Sequence, residues 1–323
     1  MRSDASVFLF LTEQCNLTCS HCYVSSGPAR TVSMPNEITQ KTLDVFGASG
    51  VDDFRLTGGE PTIHPRFESI LETIAARGHR VRLVSNGKKL YHNPNAKRLL
   101  SFLDVCWISA YGTTPERHAR VAGAGAFPLC DLERWVGELA GLGFRIGLSV
   151  LLCPGDSEHI NDLLRRTSAV GVRRLRLLPV EPDGRAASIS NGMWARWPSE
   201  VKIIYDLLLA SDNRNRFDVL TLNDPFDLCD RLVRGEDSCL LHSRRMWSVT
   251  PNGDIYSCCF NVYQPAHRVC NIRDSLLIQQ LSGWALPANG KPCRAFDDGF
   301  WRDVRPKKTT CPISALSLAT GTS

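Results

Sequence analysis

Three cysteines near the start of the chain, Cys15, Cys19 and Cys22, have the spacing C-x3-C-x2-C. They directly follow an apolar segment, Val7–Leu11, that is predicted to be a strand. Three thiolates on one loop can bind a cubane 4Fe–4S cluster, and because that cluster has four irons, one iron keeps an open coordination position. An open iron can bind and activate a molecule, so the spacing predicts cluster chemistry rather than electron transfer alone. A zinc knuckle and a ferredoxin-like electron carrier are the alternatives. Zinc usually takes four ligands in two close pairs, and no fourth Cys or His beyond His21 has a suitable offset, while His21 lies between two cysteines and would strain a zinc site.

The loop resembles the signature of the radical S-adenosylmethionine (SAM) superfamily, in which an aromatic residue, here His21, precedes the third cysteine. The resemblance implies that the open iron chelates the amino and carboxylate groups of SAM. It also implies that one electron from the cluster cleaves SAM to methionine and a 5′-deoxyadenosyl radical, which abstracts hydrogen from an unactivated carbon. A reductant such as flavodoxin or ferredoxin is then an expected partner.

A second motif, Gly58-Gly59-Glu60-Pro61, directly follows the second predicted strand. The two glycines allow close approach of the backbone to a ligand, the carboxylate can accept from an ammonium, and proline fixes the exit of the turn. In the superfamily this motif holds the amino group of SAM, so the resemblance implies that these four residues bind the cofactor.

Other strand ends carry small polar side chains suited to the ribose and carboxylate of SAM. Ser85 and Asn86 follow the third strand, Ser109 ends the fourth, and Ser149 lies near the end of the fifth. The segment 182–186 resembles the P-x-G-R-A turn of family members with an additional cluster, and its Arg185 is the candidate partner of the SAM carboxylate. A plain surface arginine remains the alternative for Arg185.

Short apolar segments alternate with helix-like segments over the first half of the chain. The predicted strands are Val7–Leu11, Asp53–Thr57, Arg80–Ser85, Val105–Ser109, Arg145–Leu151 and Arg173–Leu178. The predicted helices are Glu37–Gly47, Arg66–Ala76, Ala96–Phe102, Leu129–Leu142 and Ile160–Val170. This alternation indicates an α/β fold of consecutive βαβ units. The resemblance implies that the six strands form a partial (β/α)6 TIM-like barrel, whose chemistry gathers at the carboxyl ends of the strands.

The last part of the chain is rich in cysteine and resembles the twitch or SPASM extension of radical SAM enzymes. Cys239, Gly253 and Cys258 have the spacing C-x13-G-x4-C, and a hairpin is predicted across the turn 251–253. The dense cysteine block of a full SPASM domain is absent, so one auxiliary 4Fe–4S cluster is expected. Its predicted ligands are Cys239, Cys258, Cys293 and Cys311, with Cys259 and Cys270 as replacements. The predicted domains are residues 1–187 for the barrel, 188–235 for a connecting segment and 236–323 for the small auxiliary iron–sulfur domain.

Cys259 adjoins a predicted cluster ligand, and the side chains of adjacent cysteines diverge. If Cys258 binds the auxiliary cluster, the Cys259 thiol can point toward the barrel mouth and return a hydrogen atom to a substrate radical. Abstraction from one face and return from the other would invert a stereocentre. A packed thiol, or a ligand role for Cys259 itself, is the alternative.

Composition sets limits on the compartment and the partners. The 323-residue chain has a formal net charge of +5 without charge blocks, so neither nucleic acid nor membrane is an expected partner. It has no apolar run long enough to span a bilayer and no signal-peptide pattern at its start. Thirteen cysteines, an odd number, fit metal clusters in a reducing cytoplasm better than disulfides.

The resulting hypothesis is a radical SAM epimerase of an aminoglycoside-like, cationic sugar in antibiotic biosynthesis. It rests on a first strand that begins at Val7, which leaves no room for a preceding peptide-recognition domain, and on acidic residues near the predicted mouth. These acidic residues are Glu181, Asp183, Asp224, Asp227 and Asp230. The alternatives are a dehydrogenase of an amino sugar or cyclitol, a peptide-modifying maturase, and a non-catalytic iron–sulfur sensor or electron carrier.

Overall fold

A computed structural model of the chain describes residues 5–123, 125–180, 184–188, 197–209, 215–222, 246–256, 259, 262–263, 265 and 268–274. The strands are β1 (Ser6–Phe10), β2 (Asp53–Thr57), β3 (Arg80–Ser85), β4 (Val105–Ala110), β5 (Ile146–Leu152), β6 (Arg174–Pro179), β7 (Val219–Leu222), β8 (Met246–Val249), β9 (Asp254–Tyr256) and β10 (Arg268–Asn271). The α-helices are α1 (Asn36–Ala48), α2 (Phe67–Ala76), α3 (Lys88–Tyr91), α4 (Ala96–Ser101), α5 (Pro115–Ala122), α6 (Leu129–Gly141), α7 (Ile160–Ala169) and α8 (Trp197–Leu209).

The described residues fall into two compact units. One takes its residues from Met1–Phe10, Met34–Phe54 and Asp224–Ser323, and the other from Leu11–Ser33 and Arg55–Asn223. Strand β2 therefore begins in the first unit and ends in the second. The predicted domain boundary at residue 235 lies outside the described residues, and the predicted three-part division stays a prediction.

The second unit is an α/β layer built on a parallel sheet. Its strands follow the order β2-β3-β4-β5-β6-β7, and every pair from β3–β4 to β6–β7 is parallel. Alternate residues of β3 and β6 are buried, while the residues between them are only half-buried, because one sheet face lies under the helices. Helix α6 places Leu132 and Val136, both fully buried, toward the core, and it packs on β5. The α/β prediction is confirmed, and a partial barrel is consistent with this arrangement.

The first unit joins the start of the chain to its later part. Strand β1 pairs in parallel with β8, with Val7 opposite Trp247. Strands β8 and β9 form the predicted hairpin, whose turn contains Gly253 at a φ of +85°. Strand β10 pairs antiparallel with β9. Helix α1 covers this unit, since its Phe46 ring lies 6.4 Å from the ring of Trp247.

No helix among the described residues has both the length and the apolar content that a membrane crossing requires.

Candidate active site

The cysteine-bearing segment, residues 11–33, which we call the cysteine loop, is closed on itself by backbone hydrogen bonds. The Glu13 N–H donates to the Val32 carbonyl at 2.9 Å, and the Cys15 N–H donates to the Gly27 carbonyl at 3.1 Å. The loop also begins against the end of β2, because the Leu11 N–H donates to the Thr57 carbonyl at 2.9 Å. These bonds hold the thiol-bearing part of the loop between two tethered ends.

The structure brings the three cysteines of this loop together. Cys15 and Cys19 are buried, Cys22 is half-buried, and none forms a disulfide. Cys15 and Cys19 share one apolar cluster with Leu17 and Ala122, and Cys22 packs against it. The Leu17 N–H points at the Cys15 sulfur at 3.4 Å, as a backbone donor does toward a thiolate.

Burial, with a smaller contribution from the neighbouring Glu60 and Cys22, raises the pKa of Cys15 to about 11. Burial also raises the pKa of Cys19 to about 12, with added contributions from the other two cysteines. Thiolates at these two positions therefore need a nearby positive charge, which iron supplies. Among the described residues no three donor side chains converge on a single metal ion, and a cubane does not require this, since each cysteine binds a different iron. The donor set fits a 4Fe–4S cluster.

The turn of Gly58 and Gly59 lies directly against the cysteine loop. The Gly59 N–H donates to the Thr12 carbonyl at 2.7 Å, and the Glu60 N–H donates to the Gln14 carbonyl at 2.9 Å. A Cβ on Gly59 would lie 2.0 Å from the Gln14 oxygen, so only glycine fits. We expected the glycines to admit a ligand, and the structure shows that they admit the backbone next to the first cysteine.

The Glu60 carboxylate, which is 1% exposed, is surrounded by donors from its own turn and from the end of β3. Its Oε1 accepts from the Thr62 N–H at 3.1 Å, the Thr62 hydroxyl at 2.6 Å and the Ser85 hydroxyl at 2.8 Å, and its Oε2 accepts from the Asn86 N–H at 2.7 Å. Burial raises its pKa, and these hydrogen bonds partly offset the effect. Pro61 opens the 3-10 turn Pro61–Ile63 that presents the Thr62 donors. Glu60 thus joins the ends of two neighbouring strands.

Asn86 connects the end of β3 to the cysteine loop. Its Nδ2 donates to Asn16 Oδ1 at 2.7 Å and lies 4.0 Å from the Cys15 sulfur. Asn86 therefore lies beside the first cysteine, and these hydrogen bonds of Ser85 and Asn86 go to protein groups. Their expected contacts with SAM stay predictions.

The other two predicted strand-end serines are neighbours, and an arginine that was not predicted to be in the site contacts the second of them. Ser109 of β4 is in register with Ser149 of β5, which is in register with Arg176 of β6. The Arg176 Nε donates to the Ser149 hydroxyl at 2.9 Å, and its guanidinium lies 4.5 Å from the ring centroid of Trp107. A guanidinium in register with two serine hydroxyl groups can bind a carboxylate. The signal for it in the sequence is a pair of charged residues, Arg174 and Arg176, that alternate with leucine in a strand.

Arg185 lies beside the cysteine loop, but its contacts differ from the expected ones. Its Nε donates to the Cys19 carbonyl and its Nη1 donates to the Ser26 carbonyl, each at 2.7 Å. Two of its donors are therefore committed to the protein backbone. This arrangement favours a structural role over the predicted pairing with the SAM carboxylate.

A histidine and a tyrosine line the loop next to the third cysteine. The ring of His21 lies 5.2 Å from the ring of Tyr111, and the buried His21 Nδ1 has no hydrogen-bond partner among the described residues. Burial lowers the pKa of His21 to about 4, so its ring is neutral at neutral pH. An orphaned buried nitrogen calls for a partner, and a polar group bound beside the loop would supply one.

The predicted ligands of the auxiliary cluster stay predictions. Cys239, Cys258, Cys293 and Cys311 lie outside the described residues, as do the five acidic residues assigned to the mouth. Cys259 is 8% exposed and belongs to the other compact unit, so its role as a hydrogen-atom donor stays a prediction. The replacement candidate Cys270 is half-buried.

The model of the radical SAM superfamily matches residues 9–166, which contain the cysteine loop, the glycine turn and strands β2 to β5. This segment therefore belongs to the radical SAM superfamily, and its cofactors are a 4Fe–4S cluster and SAM.

Known proteins resemble the chain beyond this segment. Over 260 residues, 78% of this chain, it is 28% identical to the mycofactocin maturase MftC of Mycobacterium ulcerans strain Agy99, of which the match covers 68%. SuiB of Streptococcus suis bound to the precursor peptide SuiA superposes with a TM-score of 0.69 at 12% identity, over 87% of this chain and 65% of SuiB. Native anSMEcpe with bound AdoMet and the Cp18Cys peptide gives a TM-score of 0.65 at 17% identity, over 97% of this chain and 94% of that one. The two superpositions show the fold alone, and the chain spans about two thirds of the length of MftC and SuiB.

Proposed function

We propose that this radical SAM enzyme modifies a precursor peptide. The observation that carries the proposal is the similarity to the maturase MftC, which extends over 260 residues and so reaches well past the 9–166 segment. The fold is also compatible with peptide binding, since SuiB and anSMEcpe share it and were solved with peptides bound. Peptide modification was one of the alternatives in the sequence analysis, and none of these relatives supports the aminoglycoside epimerase.

In this proposal Cys15, Cys19 and Cys22 bind three irons of the cluster. When bound, the cluster and SAM supply a 5′-deoxyadenosyl radical that takes a hydrogen atom from the substrate. Both Cys15 and Cys19 are under one tenth exposed, so the protein limits the access of solvent to these two cluster ligands.

The remaining predicted site residues would contact SAM from the strand ends. Gly58, Gly59, Glu60 and Pro61 hold one side of the site against the cysteine loop, while Ser85 and Asn86 hold the next strand end to the same loop. Ser109, Ser149 and Arg176 form a polar row across β4 to β6. We assign the SAM carboxylate to Arg176 in this row, since Arg185 is engaged elsewhere.

The substrate class is tested by offering both candidates to one preparation. Full-length protein is reconstituted with iron and sulfide without oxygen and given SAM, reductant, and either a panel of aminoglycosides or a short precursor peptide encoded beside the gene. We expect the peptide alone to raise 5′-deoxyadenosine formation above the substrate-free rate and to change mass.

A sugar that is epimerised with solvent deuterium at carbon, alongside an unmodified peptide, would contradict the proposal and restore the epimerase. The Cys15→Ala variant should be inactive on either substrate. The matched control is Cys130→Ala, because Cys130 is an exposed cysteine of helix α6, outside the site.

A further inference from the structure

The turn after β6 that contains Arg185 binds the cysteine loop through three hydrogen bonds. The Arg185 backbone N–H donates to the Cys22 carbonyl at 3.2 Å, its Nε donates to the Cys19 carbonyl at 2.7 Å, and its Nη1 donates to the Ser26 carbonyl at 2.7 Å. These three carbonyls belong to the second cysteine of the loop, Cys19, to the third, Cys22, and to Ser26 after them. One residue more than 150 positions later in the chain therefore fixes the part of the loop that carries two ligands.

The residue before Arg185 shows how closely the turn fits. Gly184 has a φ of +55°, and a Cβ there would lie 2.5 Å from the Cys22 oxygen and 2.4 Å from the Tyr23 oxygen. Any other residue would push the turn off the loop. Gly184 thus allows the close backbone packing between the turn and the cysteine loop, and Arg185 forms the hydrogen bonds between them.

The contact also places a positive charge beside the thiols. The Arg185 Nε lies 2.7 Å from the Cys19 carbonyl oxygen, so the charged guanidinium is next to the backbone of a predicted cluster ligand. A guanidinium stays charged at every relevant pH, so this charge is permanent. A fixed positive charge favours the more negative, reduced form of a neighbouring cluster.

We propose that Arg185 is a positioning residue that holds the cysteine loop in its cluster-binding shape and raises the reduction potential of the bound 4Fe–4S cluster. This inference rests on the radical SAM cluster and not on the identity of the substrate. It replaces the predicted role of Arg185 as a partner of the SAM carboxylate.

Two variants separate the hydrogen bonds from the charge. Arg185→Lys keeps the charge but cannot donate to two carbonyls in a fixed planar geometry, and Arg185→Gln removes the charge. Arg134→Gln is the matched control, since Arg134 forms an exposed ion pair with Asp131 on helix α6. Each full-length protein is reconstituted without oxygen and measured for iron per chain, cluster midpoint potential, SAM affinity per cluster, and amide exchange of residues 15–26 before iron is added.

We expect loop amides to exchange at least about tenfold faster in both Arg185 variants, because two hydrogen bonds to a charged donor are lost or weakened. Iron per chain should fall in both. The midpoint potential should become more negative in Arg185→Gln and stay close to wild type in Arg185→Lys and in the control. SAM affinity per cluster should change little.

Full iron content and an unchanged potential in Arg185→Gln would overturn the proposal. A large loss of SAM affinity per cluster in both variants, with normal loop exchange, would overturn it as well and return Arg185 to the SAM carboxylate. Circular dichroism identifies a variant that fails to fold. If Arg185→Gln does not fold, the loop exchange and iron content of Arg185→Lys test the proposal. Wild-type values for both would contradict a positioning role of Arg185.

Discussion

Thiol deprotonation and iron binding are coupled at the residues of this site. Burial is the largest cause of the raised pKa of Cys15, about 11, and of Cys19, about 12, so both are neutral thiols before iron arrives. Iron binds the thiolate, and its positive charge offsets the desolvation that raises these pKa values. The fixed charge of Arg185 acts in the same direction on Cys19.

A second residue, His118, fixes the wall of the site in its neutral form. Its Nδ1 accepts from the Tyr111 N–H at 3.0 Å, which leaves the proton on Nε2 to donate to the Phe127 carbonyl at 3.0 Å. Burial lowers its pKa from 6.5 to about 4. The folded state therefore resists protonation between these two pH values while the unfolded chain takes up a proton, and stability is lost as the pH falls through this window.

Because of His118, we expect the free energy of unfolding of the wild type to fall by about 2 kcal/mol when the pH is lowered from 7 to 5, as calculated from those two pKa values. Urea unfolding of wild type and His118→Gln at both pH values isolates this effect. The variant should be the less stable protein at pH 7. The difference in the free energy of unfolding between wild type and variant should be about 2 kcal/mol smaller at pH 5. An equal gap at both pH values would show that His118 titrates normally.

Motif spacing predicted which residues assemble at the site, but it did not predict their partners. Cys15, Cys19 and Cys22 come together, and Gly58 to Pro61 lie beside them, because each motif directly follows a strand. The partners of Glu60 and Arg185 depend on the direction of each side chain in the folded protein, which spacing does not determine. For the same reason the sequence analysis named Arg185 as a candidate partner of the SAM carboxylate and did not name Arg176, which is in register with Ser149.

At the scale of elements, the six predicted barrel strands lie within one residue of the observed bounds. Short apolar runs between polar segments determine strand positions well in a buried parallel sheet. Helices α3 and α5 were not predicted. Thr114 followed by Pro115 is a standard helix start, and the Thr114 hydroxyl does accept from the Arg117 N–H at 3.3 Å. The pairing of β1 with β8 was not predictable, since nothing local specifies a partner so distant in sequence.

The contact between the glycine turn and the cysteine loop can be tested by adding one methyl group in the substitution Gly59→Ala. In Gly59→Ala the added Cβ would meet the Gln14 carbonyl oxygen at 2.0 Å, so the two segments have to separate. We expect a loss of about 3 kcal/mol in the free energy of unfolding and a lower iron content after reconstitution. Urea unfolding and iron analysis measure the two effects.

The matched control is Gly141→Ala at the end of helix α6, where a Cβ meets no atom within 4 Å. Because alanine favours helix and restricts the unfolded chain, this variant should match or exceed wild-type stability. If Gly59→Ala behaved like Gly141→Ala, the glycine turn would not depend on close contact with the loop.

At the scale of the whole molecule, chemistry was more predictable than substrate. The cluster chemistry follows from a short motif, whereas the substrate class depends on surfaces that a single sequence does not display. The sugar prediction used acidic residues that lie outside the described part of the chain, together with the position of the first strand. The similarity to the maturase MftC covers 78% of the chain and is the observation from which we propose a peptide substrate.

The central claim is that three cysteines hold a cluster whose open iron binds SAM. The most direct test is the electron paramagnetic resonance spectrum of the reduced, anaerobically reconstituted chain with and without SAM, using Cys22→Ala to subtract any auxiliary cluster and Cys130→Ala as the control. We predict that SAM shifts the g values of a signal that is present in wild type and Cys130→Ala and absent from Cys22→Ala. A signal that does not change when SAM is added would contradict the account.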